Sequence, residues 1–141
     1  FYDLDFAFKT AERDMIGQYF NAKGVPSADQ SLTYFEIYIG LKKNKAWRDY
    51  CVERYVEVVM KYFNAERATA LLDQMADALR PEMPRQIARW GKPYSMNEWE
   101  DQVKQLRYFV ENRPKYALEN MRKYFGVSQD ELDALIAKYS S

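Results

Sequence analysis

The stretch Arg80-Pro81-Glu82-Met83-Pro84-Arg85-Gln86-Ile87-Ala88-Arg89-Trp90 decides the architecture, because two prolines three residues apart interrupt an otherwise helical text. A proline inside a helix removes one backbone hydrogen bond and clashes with the preceding turn. Pro81 and Pro84 are therefore expected to end one helix and open the first turn of the next. That next helix, Pro81 to Trp90, stops at Gly91, and Pro93 bars its resumption.

Toward the N-terminus of this bend, Asn64 is a good N-cap for a helix over Ala65 to Leu79, with Ala68, Leu71, Leu72, Met75 and Leu79 as its apolar stripe. Before it, Ala46 to Phe63 repeats apolar residues at three- and four-residue steps: Trp47, Cys51, Tyr55, Val58 and Tyr62. Ser31 to Asn44 puts Leu32, Phe35, Ile39 and Lys42 near one helical face, while Tyr34, Tyr38 and Leu41 widen the arc. Residues 9–30 carry the weakest pattern, with Gly17, Gly24 and Pro26 as breakers, and predict a short helix near Ala11 to Phe20 and then a loop.

Toward the C-terminus, Ser95 and Glu98 form a capping box for a helix running to about Asn112, with Trp99, Val103, Leu106 and Val110 on one side. Pro114 is read as the first turn of a further helix, lined by Tyr116, Ala117, Met121, Tyr124 and Phe125 and closed by Gly126. Ser128 and Glu131 repeat the box for a last helix with Leu132, Leu135, Ile136 and Tyr139. No internal repeat appears.

The opening octapeptide differs. Tyr2, Leu4, Phe6 and Phe8 alternate with Asp3, Asp5 and Ala7, the period of two of a strand that buries one face. One strand is not stable alone, and nothing later supplies a second. The expectation is a mainly α fold, about seven helices in an irregular bundle, after one N-terminal strand that belongs to a sheet lying upstream. Residues 1–8 are that strand, 9–30 the short helix and loop, and 31–141 the helical subdomain.

Composition narrows the chemistry. Lysine plus arginine equals aspartate plus glutamate at 21 each, so no net field attracts nucleic acid or an anionic membrane, and no nucleic-acid partner is expected. Histidine is absent, which removes the usual neutral-pH general base and the commonest metal ligand. Cys51 is the single cysteine, so neither an internal disulfide nor a cysteine metal cluster can form. It lies on an apolar stripe with no activating neighbour, which predicts a buried small hydrophobe. No apolar run approaches the length of a membrane span. The five glycines are scattered singly, so no phosphate loop can be built from them.

Asp3 and Asp5 are the candidate site. Two strand residues apart, their α-carbons lie about 6.6 Å from one another on one face, where both carboxylates can flank a hard cation such as magnesium. On spacing alone a solvated pair at a strand end is the commoner reading. Arg85 and Arg89, one turn apart, can grip a phosphate or carboxylate; the plainer reading pairs them with Glu82 or Glu100 on the surface. The aromatic supply falls on the same stripes as the aliphatic residues, so Trp47, Tyr55, Tyr62 and Trp99 are expected in the core.

The bend Pro81 to Arg85 leading to Trp90, the helix entering through Trp99, and Arg113-Pro114 before a helix ending in Phe125-Gly126 resemble the C-terminal helical region of the CotH-type (spore coat protein H) atypical kinases, from about Ser31 to Phe125. Gln86 stands where that family commonly has histidine. The family also carries an Asp-x-Asp followed by x-x-Phe-Gly at a strand end; Asp3, Leu4, Asp5 and Phe8 match it, and Lys9 replaces the glycine. The resemblance implies magnesium ligation by Asp3 and Asp5, ATP as phosphate donor in the intact parent protein, serine or threonine hydroxyls of secreted or spore-coat proteins as acceptors, and an extracytoplasmic or cell-surface setting. It also implies that the nucleotide-binding lysine and catalytic aspartate lie in an upstream kinase lobe, so that no turnover and no bound cofactor are expected from this chain alone. The alternative is a non-catalytic helical interaction module that docks on another protein chain, adding Phe1 to Phe8 as a strand to a partner sheet.

Overall fold

The computed structural model describes residues 8, 10–20 and 33–140, and these are mainly helical, with seven α-helices and no strand among them. The helices are α1 (Met15–Phe20), α2 (Thr33–Lys42), α3 (Lys45–Tyr62), α4 (Ala65–Leu79), α5 (Met83–Trp90), α6 (Met96–Phe125) and α7 (Gln129–Tyr139). Residues 1–7 of the strand expected over 1–8 lie outside the described residues, and Phe8 is not strand but turn, in the left-handed region at φ 62°.

Local chemistry explains most boundaries. Asn44 and Asn64 sit in extended backbone and accept from the amides of Trp47 (3.1 Å) and Arg67 (2.9 Å), which satisfies N-terminal donors of α3 and α4. Pro81 falls in the turn joining α4 to α5 and Pro84 in the first turn of α5. Gly91 ends α5 in the left-handed region at φ 63°, donating its amide to Ile87 O at 2.8 Å. At α6 only half of the expected box closes: the Glu98 amide donates to Ser95 Oγ at 3.1 Å, but the Glu98 carboxylate takes the amide of Tyr94, one residue earlier. At α7 the reciprocal box of Ser128 and Glu131 is complete.

One boundary is corrected. The helices expected on either side of Arg113-Pro114 are a single 30-residue helix, α6, with Pro114 in its interior. An interior proline costs about 3 kcal/mol or more. Burial of Ala117, Leu118 and Met121 just beyond it offsets that cost, and the Asn112 side chain donates to Tyr108 O at 2.8 Å, adding a bond beside the weakened turn.

The chain divides into two compact units, and the division falls within α6. The first comprises residues 1–11 and 64–113. Its buried residues among those described are Ala11, Ala76 and Trp99. Polar contacts tie α4 to the first half of α6: Arg107 pairs with Asp73, and Arg80 pairs with Glu100 while lying 5.1 Å from the Trp99 ring centre.

The second unit comprises residues 12–63 and 114–141. Val52, Val56 and Val59 of α3 close with Leu118 and Met121 of α6, Val127, and Leu132 of α7 into one apolar cluster, flanked by Ile16, Tyr55, Leu135 and Ile136. Val56 and Met121 are wholly inaccessible. At the rim, Glu53 accepts from Lys138 (2.5 Å) and the Tyr139 hydroxyl (2.8 Å), joining α3 to α7. Gly126 turns the chain between α6 and α7 at φ 67°, with Val127 N donating to Arg122 O at 3.0 Å.

Packing expectations on α3 and α4 are corrected. The buried row of α3 is Val52, Val56 and Val59, rotated by one residue from the expected row of Trp47, Cys51, Tyr55, Val58 and Tyr62; Tyr62 is exposed and Cys51 half-buried. Both rows repeat at helical spacing, and the branched valines pack closest to the neighbouring helices. On α4 the residue that reaches the interior is Ala76, whereas Leu71, Met75 and Leu79 of the expected stripe are more than half exposed.

Candidate functional site

Asp3 and Asp5 lie outside the described residues; further along the chain, Phe8 and Ala11 each make a contact inside the first unit. Phe8 packs edge-on against Phe109, with ring centres 5.3 Å apart at 81°. Three residues on, Ala11 is buried to 1% exposure, and its carbonyl accepts a 2.8 Å hydrogen bond from Arg113 Nη1. Phe109 and Arg113 stand four apart on α6 and so share one face of that helix.

Phe8 takes a left-handed backbone conformation, φ 62°, among the described residues the one non-glycine residue to do so. For a bulky residue this costs on the order of 1–2 kcal/mol and persists only where the surroundings hold it. The Phe109 ring on one side and the Arg113–Ala11 bond on the other are those surroundings. The positive φ thus falls one position before Lys9, the residue that replaces the expected glycine.

The donor set suits a hard cation. Two carboxylates with no sulfur or imidazole nearby in sequence match magnesium's preference for oxygen ligands. Among the described residues, no group of three or more Asp, Glu or Cys is placed to hold a metal ion.

The remaining candidates reduce to structure. Arg85 pairs with Glu82 at 3.0 Å, whereas Glu100 is taken by Arg80, and Arg89 lies 4.8 Å from the ring centre of Trp90 instead of pairing with an acid. Arg85 and Arg89 thus hold local partners on an exposed surface. Burial pushes the Cys51 thiol up, away from the thiolate form that a nucleophile needs. A groove of about 330 Å³ between α3 and α7 is lined by Lys45, Arg48, Asp49, Glu53 and Glu131 beside Val52, Val127 and Leu135. Its charges are spoken for: Asp49 pairs with Lys45 and Arg48, Glu53 with Lys138, and Glu131 with Ser128. The Glu119 carboxyl is drawn down to about 2, first by the Arg122 guanidinium bonded to both of its oxygens and then by Lys123.

Sequence reading missed the roles of Phe109 and Arg113. Arg113 was visible as half of an Arg-Pro pair, and Phe109 as an aromatic between Leu106 and Val110, but a contact with a residue about a hundred positions away leaves no trace in local periodicity.

Comparison with curated proteins and with solved structures finds no match. A family model described as CotH kinase protein matches residues 1–117. The match takes in the opening Asp-x-Asp segment and the Phe109–Arg113 face, and stops within α6 short of Phe125-Gly126, so it reaches further toward the N-terminus than the resemblance drawn from the bend alone. Since it covers most of the 141 residues, the chain belongs to the CotH kinase protein family.

Proposed function

We propose that this chain is the C-terminal helical part of a CotH-like protein kinase that transfers the γ-phosphoryl group of ATP to serine or threonine hydroxyls of secreted or spore-coat proteins. The observation that carries the reading is the family match across the Asp-x-Asp segment together with the rest of residues 1–117. In this reading Asp3 and Asp5 hold magnesium, which neutralises charge on the nucleotide phosphates when bound. The helices hold the acidic segment in place and form the far wall of the cleft. An upstream kinase lobe contributes the cation that grips the phosphates and the group that orients the attacking hydroxyl, and the setting is extracytoplasmic, at the spore coat or cell surface.

Phosphoryl transfer leaves ADP and moves the hydroxyl proton to a base, which in this reading the upstream lobe supplies together with the phosphate cradle. This polypeptide alone is therefore inactive in this reading. Radiolabelled ATP transfer tests it: phosphate should reach a protein acceptor with the full-length protein, fall to background with Asp5→Asn, and stay at background with residues 1–141 alone. Activity of the isolated chain that disappears in Asp5→Asn would overturn the division of labour.

A second reading, a non-catalytic interaction module, is favoured by the exposed row of Leu71, Met75 and Leu79 on α4. Calorimetry with magnesium and ATP separates the two. Binding that appears only in a polypeptide extended upstream supports the kinase; none in either supports the module.

A further inference from the structure

We infer that Arg89, Trp90, Lys92 and Tyr94, at the C-terminal end of α5 and in the loop after it, form a docking surface for an acidic peptide segment of a partner protein. The surface does not depend on the metal role proposed above for Asp3 and Asp5.

Charge is uneven here in a chain that is neutral as a whole. From Met83 to Asn97 the sequence carries Arg85, Arg89 and Lys92 and no Asp or Glu. Arg85 is answered by Glu82 at 3.0 Å. Arg89 and Lys92 have no acidic partner among the described residues; each lies over an aromatic ring instead, Arg89 4.8 Å from the centre of Trp90 and Lys92 Nζ 3.2 Å from that of Tyr94. A ring face does not neutralise a cation, and a guanidinium held over one keeps N–H donors for a carboxylate. Both rings lie largely in water, Trp90 at 63% and Tyr94 at 70% exposure. Gln86 Nε2 reaches the Lys92 carbonyl at 3.5 Å, which holds the loop beside α5 and keeps the two ring and cation pairs together.

Exposed Trp, Tyr and Arg are the residue types that dominate binding energy at protein interfaces. Cations already resting on rings lose little freedom when a partner arrives. Their unanswered charge fixes the sign of that partner: carboxylates for Arg89 and Lys92, with an apolar side chain for the Trp90 ring. Two other occupants fit worse. A nucleic-acid strand needs a track of cations, and Arg80 and Arg85 beside this surface are held by Glu100 and Glu82. An anionic membrane needs the apolar side of α5, where Met83 and Ile87 are already half-buried.

Fluorescence anisotropy of a short labelled peptide, in which Asp and Glu flank a single Leu, tests the surface on the full-length protein. The peptide should bind, weaken as sodium chloride rises from about 0.05 M to about 0.3 M, and lose its affinity when its acids are replaced by Asn and Gln. Arg89→Gln combined with Lys92→Gln should weaken binding about tenfold, and Trp90→Ala by a similar factor. Lys104→Gln, which removes an exposed cation of the same unit already paired with Asp101, should leave binding within about twofold. Arg89→Glu combined with Lys92→Glu should reject the acidic peptide and accept one with Lys in place of its acids, a reversal that loss of folding cannot produce. No binding of the acidic peptide, undiminished binding by the Arg89 and Lys92 double variants, or an equal loss in Lys104→Gln would overturn the surface. So would tighter binding of a single-stranded oligonucleotide or of phosphatidylglycerol vesicles, since the occupant would then be a different class of molecule.

Discussion

The two units differ in how many apolar residues they bury, although both leave large apolar side chains in water. In the second, three valines of α3 meet Leu118, Met121, Val127 and Leu132, and the cluster closes on itself. In the first, Ala76 and Trp99 are buried, yet Leu71, Met75 and Leu79 on the same α4 remain 55%, 57% and 55% exposed, and Trp90 and Tyr94 are more exposed still. Helical amphipathicity says that a face prefers to leave water; it does not say which surface receives it. The second unit gains its order from shape-matched apolar packing. The first relies on ion pairs, Arg80 with Glu100 and Arg107 with Asp73, and on the grip of Phe109 and Arg113.

The sharpest way to break this contrast is to empty the closed cluster. Met121→Ala should cost about 3 kcal/mol in urea unfolding, because a residue with no exposed surface leaves a cavity that its neighbours cannot fill. A loss below about 1 kcal/mol would mean that the cluster is loosely packed.

Caps come next. Ser128→Ala and Asn64→Ala each remove an oxygen that accepts from a helix N-terminal amide, at about 1 kcal/mol apiece. The contrast predicts different symptoms. The α7 variant should lower the unfolding midpoint of the closed cluster, whereas the α4 variant should accelerate hydrogen exchange along Ala65–Leu79.

A smaller effect depends on pH. Glu119 has a folded value of about 2 against an ordinary 4.5, so its pairing with Arg122 stabilises the protein above about pH 4.5 and fades as the pH falls from there toward 2. About a third of the side chain meets solvent, and screening keeps the gain at or below about 1 kcal/mol. Glu119→Gln should lower stability by that amount at neutral pH and flatten the acid limb of the stability profile between pH 4.5 and 2.

The smallest effect belongs to the open face. Met75→Gln should change stability by no more than about 0.5 kcal/mol, since more than half of that side chain already lies in water. A loss of 2 kcal/mol would show that α4 is covered in solution.

The helices were legible wherever the signal was local. Asn64, the Pro81–Pro84 bend, Gly91, Gly126 and the box of Ser128 and Glu131 each act within a few residues, and each marks an element that the structure contains. Pro114 misled because its penalty is local while its compensation, the burial of Ala117, Leu118 and Met121, is not. On α3 two apolar rows compete at the same spacing, and periodicity could not choose the valines over the aromatics. The candidate pair, Asp3 and Asp5, was legible as an acidic pair and lies outside the described residues; the contacts of Phe8 with Phe109 and of Ala11 with Arg113 join residues about a hundred positions apart, which no local pattern reveals.

By itself the sequence determined where most helices begin and end, and which chemistries are closed to a chain without histidine and with a single cysteine, because capping, proline geometry and side-chain inventory are properties of short segments. Tertiary structure alone decided that Val56, not Tyr62, and Ala76, not Leu79, lie inside, and that Arg113 holds the chain at Ala11. Those outcomes turn on which surfaces meet, and a surface has no partner until the chain is folded.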